Sequence, residues 1–399
     1  MTNRSGSRST ILHYCQHSVG LGHLVRSLAV AGALARENRV VLVAGGRVPA
    51  GLDVPRGVEL VALPAIGSLD AGGSHLVSLE PGMDVGEAWE RRRETLFALL
   101  DELQPAAVMI ELFPLGRRKF AEELLPFLEA ARRLASAPAI LCSVRDILVA
   151  NGPDQQRRDD EAARRLAAHF DAVIVHADQR FVALEETFRP STPIPVPVIY
   201  SGFVARPWTR PPADALRPAE IVASAGGGKT GGPLLRAVAE AHRRHFRLRG
   251  LKTRIITGPF LAPAEYDSLV AFAATTKNLT VERFVSDLAA LMAGATASVS
   301  QCGYNTALDI IRARVPSLVV PFDGGRETEQ AERALRLAEV GVVRVLSMDQ
   351  LSIAGVVEAI DGLLARTPPT VALDLNGAEN TADIVAEFVR ARQSLVPTS

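Results

Sequence analysis

Cysteine, lysine and net charge are all in short supply in this sequence. The three cysteines, Cys15, Cys142 and Cys302, lie far apart with no Cys-x-x-Cys pair, so neither a disulfide framework nor a zinc knuckle organises the chain. Lys+Arg and Asp+Glu both number 44, and the formal net charge is zero. A general binder of nucleic acid or of an anionic membrane needs a basic surplus and is not expected here. Only four of the basic residues are lysine (Lys119, Lys229, Lys252, Lys277), so a lysine inside a motif stands out. No apolar stretch approaches the ~18 residues of a membrane span. The apolar run after the polar N-terminus is too short for the core of a signal peptide. The expectation is a cytoplasmic protein with no transmembrane segment, peripheral membrane contact being left open.

What is present is a hydrophobic content of 48% over 399 residues, enough for the cores of two domains. Short apolar, β-branched runs alternate with amphipathic helical stretches. Ile11–Gln16, Val40–Ala44, Val58–Leu63, Ala107–Ile110, Ala139–Val144 and Ala172–His176 read as strands. Helices are expected at His23–Arg36, Glu87–Gln104, Phe120–Leu134 and Gln156–Phe170. Between Pro190 and Glu220 eight prolines interrupt the pattern, which reads as an inter-domain linker. The alternation restarts with strands at Ile221–Ser224, Thr253–Thr257, Leu279–Phe284, Ala297–Ser300, Ser317–Val320 and Val342–Val345. Helices at Leu234–Phe246, Asn305–Arg314, Glu329–Ala338, Ile353–Leu364 and Ala378–Arg392 go with them. The fold class is therefore α/β, with two Rossmann-like, doubly wound parallel domains. The boundaries expected are 1–204 and 205–399, with the last helix free to pack back on the first domain.

Three glycine-bearing turns follow strands and open helices. The first is His17-Ser-Val-Gly20-Leu-Gly22-His23. Its glycines permit a tight turn and close ligand approach, and the helix start keeps His23 neutral and able to accept a proton. It is not a Gly-x-Gly-x-x-Gly, and a capping role for His23 is the plain alternative. The second is Ser224-Ala-Gly226-Gly227-Gly228-Lys229-Thr230-Gly-Gly-Pro233. It fits a relaxed phosphate-binding P-loop, but Pro233 marks a later helix start and no strand ending in Asp follows as a partner. A glycine cradle for a diphosphate fits better, using the amides of Gly226–Gly228, the Thr230 hydroxyl and the Lys229 charge. The third is Ser300-Gln-Cys-Gly303-Tyr-Asn305-Thr306-Ala-Leu-Asp309, followed by Pro321 and Thr328-Glu329-Gln330. Asn305 and Thr306 suit a helix N-terminus, and Asp309 lies one turn on, on the same face as Asn305. A carboxylate there suits a ribose diol, and Glu329 and Gln330 suit sugar hydroxyls.

Together and in this order the three blocks resemble the GT-B nucleotide-sugar glycosyltransferases, and among them glycosyltransferase family 28. The resemblance implies a nucleotide diphosphate sugar, commonly UDP-linked, held on the second domain as co-substrate, with no further cofactor. Phe284 and Val285, ahead of Asp287-Leu288, match the pair that contacts the base. Gly226–Gly228 and Gly303–Thr306 match the diphosphate contacts, Asp309 the ribose ligand, and Glu329 with Gln330 the donor-sugar contacts. Glu329 replaces a glutamine of the lipid II enzyme of that family. His17, Gly20, Gly22 and Arg145 fall on the acceptor side, with His23 as candidate base and His17 or Asp146 as its alternatives. The resemblance implies direct displacement with inversion, and no Asp-x-Asp occurs, which fits a metal-independent transferase. A hexose or N-acetylhexosamine would pass to a hydroxyl or amine of a small or lipid-linked acceptor, in a cleft closed about the proline-rich hinge. A nucleotide-sugar hydrolase or epimerase on the same fold, and a non-catalytic nucleotide-sugar binder, are the competing readings.

Overall fold

The computed structural model describes residues 8–17, 22–68, 75–148, 154–205, 208, 219–246, 250–322, 324, 328–365 and 370–395. The chain divides into two units, residues 1–206 with 373–399, and residues 207–372. The second domain thus ends at 372, and the C-terminal segment belongs to the first.

In the first unit the apolar runs form β1 (Thr10–Cys15), β2 (Arg39–Ala44), β3 (Val58–Ala62), β4 (Ile66–Gly67), β5 (Val77–Ser78), β6 (Ala107–Glu111), β7 (Ala139–Arg145), β8 (Ala172–His176) and β9 (Val198–Tyr200). The helices are α1 (Gly22–Leu34), α2 (Val85–Leu103), α3 (Ala121–Arg133) and α4 (Gln155–His169). Seven strands make one parallel sheet in the order β3-β2-β1-β6-β7-β8-β9, while β4 and β5 pair separately and antiparallel. The unbroken apolar strands follow from helices covering both faces. On one face Ile11, Leu42, Met109, Leu141 and Ile174 meet Leu24 and Leu28 of α1 and the returning helix. That helix supplies Val385 and Val389 to the same core.

Strand β9 corrects the expectation that the pattern stops after Pro190. Val198–Tyr200 adds to the sheet edge beside β8, and the Pro197 carbonyl already accepts from the Val173 amide at 2.9 Å. Proline lacks a donor but keeps its acceptor, so a proline-flanked segment can serve as an edge strand.

The second unit holds β10 (Glu220–Ser224), α5 (Gly232–Arg244), β11 (Lys252–Ile256), α6 (Pro263–Ala274), β12 (Leu279–Glu282), α7 (Leu288–Gly294), β13 (Ala297–Ser300), α8 (Tyr304–Ala313), β14 (Ser317–Val319), α9 (Glu329–Glu339), β15 (Val343–Val345) and α10 (Ile353–Leu364). Its sheet is parallel, in the order β12-β11-β10-β13-β14-β15. The strand order reverses direction at β10–β13, the switch point where open α/β sheets bind ligands. The chain then returns to the first unit as α11 (Gly377–Leu395), which packs beside α1. The return is pinned by a Val204–Asn376 bridge and by Asn380 donating to the Ser201 carbonyl at 2.7 Å.

Candidate functional site

In the first unit the sequence candidates gather where β1 and β6 end. His23 is the second residue of α1, and its Nδ1 lies 2.7 Å from Oε1 of Glu111, the last residue of β6. Arg26, one turn further along α1, donates to the same oxygen. Glu111 is fully enclosed, whereas 16% of the His23 side chain remains accessible. Burial opposes the Glu111 charge, but His23, Arg26 and Arg117 outweigh it and hold the carboxyl well below the usual range. Burial pushes the His23 imidazole down to about 3, against the pull of Glu111. A carboxylate only accepts, so Nδ1 carries the hydrogen and Nε2 presents a lone pair. A neutral imidazole, oriented by an ionised carboxylate, is the arrangement of a general base.

Glu111 was missed in the sequence, where its strand reads as ending at Ile110. The available signal was a carboxylate at the carboxyl end of a central parallel strand. His17 is buried, with Nε2 donating to the Arg47 carbonyl at 3.1 Å and its basicity lowered by burial. It is thus bound to the backbone of its own unit. Gly22 opens α1, while Gly20 lies outside the described residues. Arg145 ends β7, and Asp146 follows it fully buried, which leaves His23 the more accessible candidate base.

A buried network on the opposite face of this sheet holds the ends of β1 to β3 in place. Arg92 of α2 pairs with Glu123 of α3 at 2.7 Å and donates to the carbonyls of Gly45 at 2.7 Å and Pro64 at 3.0 Å. It also donates to Tyr14 Oη at 2.9 Å and Gln16 Oε1 at 2.8 Å. Gln16 in turn donates to the carbonyls of His17 at 3.2 Å and Ile66 at 3.0 Å. Such a pair is tolerated in the interior because all of its polar atoms find partners.

In the second unit the glycine loop after β10 interlocks with the loop after β11. Gly226, Gly228 and Gly258 adopt φ of 58°, 93° and 82°. A Cβ on Gly228 would lie 2.4 Å from the Thr257 carbonyl oxygen, and one on Gly258 would lie 2.3 Å from that of Gly226. Left-handed backbone and close approach both require glycine here. The Gly226 amide donates to Ser224 Oγ at 3.3 Å and that of Gly228 to the Ala225 carbonyl at 3.0 Å. Of the three amides expected to cradle a phosphate, only that of Gly227 has no partner among the described residues, because the turn uses the other two to hold its own shape. Lys229 is exposed beside them. Thr230 Oγ1 accepts from Gln301 Nε2 at 3.1 Å, which ties this loop to the segment before α8.

The start of α8 completes the arrangement. Gly303 is its N-cap, makes no side-chain cap bond, and has open space where a Cβ would stand. The first-turn amides of Asn305 and Thr306 therefore meet no capping side chain, which favours an anion. Asp309 is half-buried one turn along. The Cys302 peptide beside them is clamped from both sides: its N–H donates to Gln330 Oε1 at 3.2 Å, and its carbonyl accepts from Arg333 Nη1 at 2.8 Å. Gln330 Oε1 also accepts from the Phe322 amide at 3.2 Å, so this oxygen braces the ends of β13 and β14. Glu329 begins α9 and is buried. Phe284 is 66% exposed just past β12, with Val285 half-buried after it and Asp287 capping α7 through the Ala290 amide at 2.8 Å. Among the described residues no three His, Cys, Asp or Glu stand together as a metal set, and no helix is long and apolar enough to cross a membrane.

Residues 224–385 match the family described as the glycosyltransferase family 28 C-terminal domain, a span covering most of the second unit and entering α11. Over 89 residues the chain is 29% identical to the UDP-N-acetylglucosamine–N-acetylmuramyl-(pentapeptide) pyrophosphoryl-undecaprenol N-acetylglucosamine transferase of Thermotoga neapolitana. That stretch is 22% of this chain and 26% of the relative, so the chain spans about a quarter of the curated relatives it matches. Among solved structures it is similar to the calicheamicin glycosyltransferase CalG4, with a TM-score of 0.57 at 19% identity over 96% of this chain and 95% of that one. It is also similar to MurG of Acinetobacter baumannii, with a TM-score of 0.54 at 16% identity over 97% of this chain and 100% of that one. TcCGT1 in complex with UDP gives a TM-score of 0.59 at 13% identity over 98% and 96%. These likenesses establish the fold as GT-B.

Proposed function

We propose that this chain, a GT-B protein bearing a family 28 C-terminal domain, is an inverting, metal-independent glycosyltransferase. It would move a hexose or N-acetylhexosamine from a nucleotide diphosphate sugar, UDP-linked in the first instance, to an acceptor hydroxyl or amine. The observation that carries this reading is His23, neutral and partly accessible, held at 2.7 Å by the buried, ionised Glu111. The acceptor gives its proton to His23 Nε2 as its oxygen or nitrogen bonds to the anomeric carbon. The bond from that carbon to the diphosphate breaks, and the nucleoside diphosphate leaves. Glu111 offsets the charge that develops on the imidazole. In the second unit the Gly227 amide, the amides opening α8 and Lys229 face the growing charge of the leaving group. A single displacement with one base and no protein nucleophile inverts the anomeric centre. The missing Asp-x-Asp and this amide-rich site support a route that needs no metal.

The test is a thermal-shift screen of the full chain with UDP-, dTDP- and GDP-sugars, followed by nucleotide release with and without acceptors. Release that needs an acceptor and falls by about 10²–10⁴ in His23→Ala supports the reading. Release to water alone points to a hydrolase, and no binding of any nucleotide sugar ends the proposal.

A further inference from the structure

Five large hydrophobic side chains are exposed among the described residues, and two of them, Phe260 at 44% and Phe284 at 66%, stand at the same end of the second sheet. Pairing between β11 and β12 continues past their last strand residues. The Thr257 amide donates to the Glu282 carbonyl at 2.9 Å and the Gly258 amide to the Arg283 carbonyl at 3.0 Å. Phe284 follows the last paired residue directly, and Phe260 follows its own after Pro259. Two aromatic rings therefore emerge from neighbouring strand ends, where adjacent backbones run about 5 Å apart.

Phe260 is held firmly for an exposed residue. Its amide donates to the Gly227 carbonyl at 2.9 Å, and the next side chain, Leu261, is 2% exposed and packs into the core. Gly258, two residues before it, sits against the Gly226 and Gly227 backbone. The Phe260 ring reaches within 3.5 Å of the position a Cβ on Gly227 would occupy, beside the unpartnered Gly227 amide. Arg283, the neighbour of Phe284, is drawn aside over the Tyr266 ring at 3.8 Å from its centre. A rigid backbone that presents a large apolar ring to solvent next to a backbone amide with no partner among the described residues suits a ligand with a flat apolar part and a phosphate.

We propose that Phe260 is a second aromatic contact for the donor nucleoside, holding the nucleobase together with Phe284. The proposal rests on the nucleotide-sugar reading above. A base that enters at the ends of β11 and β12 meets both side chains, and the diphosphate then lies toward Gly227 and the start of α8, along the strand order β12-β11-β10-β13.

The test is calorimetric titration of the full chain with UDP, dTDP, GDP and inorganic pyrophosphate, the tightest of the three nucleotides serving as probe. Phe260→Ala weakens that nucleotide by about five- to hundredfold, the range of one base–aromatic stack, and leaves pyrophosphate binding unchanged. Phe260→Trp keeps nucleotide affinity within about threefold of the parent, because stacking accepts any aromatic ring. Melting temperatures of both variants stay near that of the parent, since the side chain is half exposed. Nucleotide affinity within twofold of the parent in Phe260→Ala overturns the proposal. An equal loss for pyrophosphate also overturns it, showing that Phe260 only supports the glycine loop. A parent chain that binds none of the three nucleotides removes the donor reading itself, and the proposal with it.

Discussion

Glu111→Gln separates the two tasks assigned to this carboxylate, because the amide keeps its shape and loses its charge. Arg26, 3% exposed, shares the carboxylate with His23 and is left with its counter-charge gone. Removing one member of a buried ion pair costs about 3–5 kcal/mol, and the retained amide oxygen argues for the lower end. At about 2–4 °C per kcal/mol in a unit of this size, the first unit should melt roughly 6–12 °C lower. Turnover should fall by about 10²–10⁴, since the His23 imidazolium loses its stabilising charge, while donor KM stays near the parent value. The pH dependence follows from the same pair. The folded pKa of Glu111 lies below its unfolded value of 4.5, so its contribution is complete above about pH 4.5 and is lost as pH falls further. His23 falls from 6.5 to about 3 on folding, so between those values the unfolded chain binds a proton that the folded chain does not. Stability therefore decreases as pH drops through that window, by at most about 1.4 kcal/mol per pH unit for one proton. Scanning calorimetry from pH 8 to pH 4, alongside initial rates at pH 7, measures all of this. Melting within 2 °C of the parent and turnover within threefold would refute both the buried pair and the assignment of the base.

Gly228→Ala meets the Thr257 carbonyl and must hold a positive φ, so it should lose about 2–5 kcal/mol and most nucleotide binding, read by thermal melting and calorimetry. Gln330→Ala strips the acceptor from two backbone amides, which should cost about 1–3 kcal/mol and raise donor KM, checked by denaturant titration and by kinetics. Lys229→Ala, at an exposed position, should leave the melting temperature unchanged and weaken nucleoside diphosphate binding up to about fivefold, with a steeper loss at low salt. Lys229-dependent ATP hydrolysis by the parent would instead revive the P-loop reading.

Most strands and helices were legible because apolar runs and amphipathic periods are local. Ala172–His176, Ala297–Ser300 and Ile353–Leu364 have the expected bounds, and most other elements differ by one or two residues at an end. The misses are of a different kind. The edge strand at Val198–Tyr200 was hidden by prolines that disrupt a central strand but not an edge. Gly226–Gly228 were legible as a turn, but not the inward direction of two of their amides, which depends on φ and on the loop after β11. Gln330 was legible as polar at a helix start. Its bond to Phe322 and Cys302 depends on how β14 and β13 lie beside α9.

By itself the sequence determined the alternation of strand and helix, the two parallel sheets and the glycine turns that follow β10 and β13. Those features follow from side-chain size, period and backbone freedom within a few residues. Only the tertiary structure decided which groups share charge. His23 and Glu111 are 88 residues apart and meet because β1 and β6 are neighbours in the sheet. No local pattern encodes that adjacency, and it is burial that keeps the imidazole neutral and the neighbouring His23, Arg26 and Arg117 that keep the enclosed carboxylate ionised.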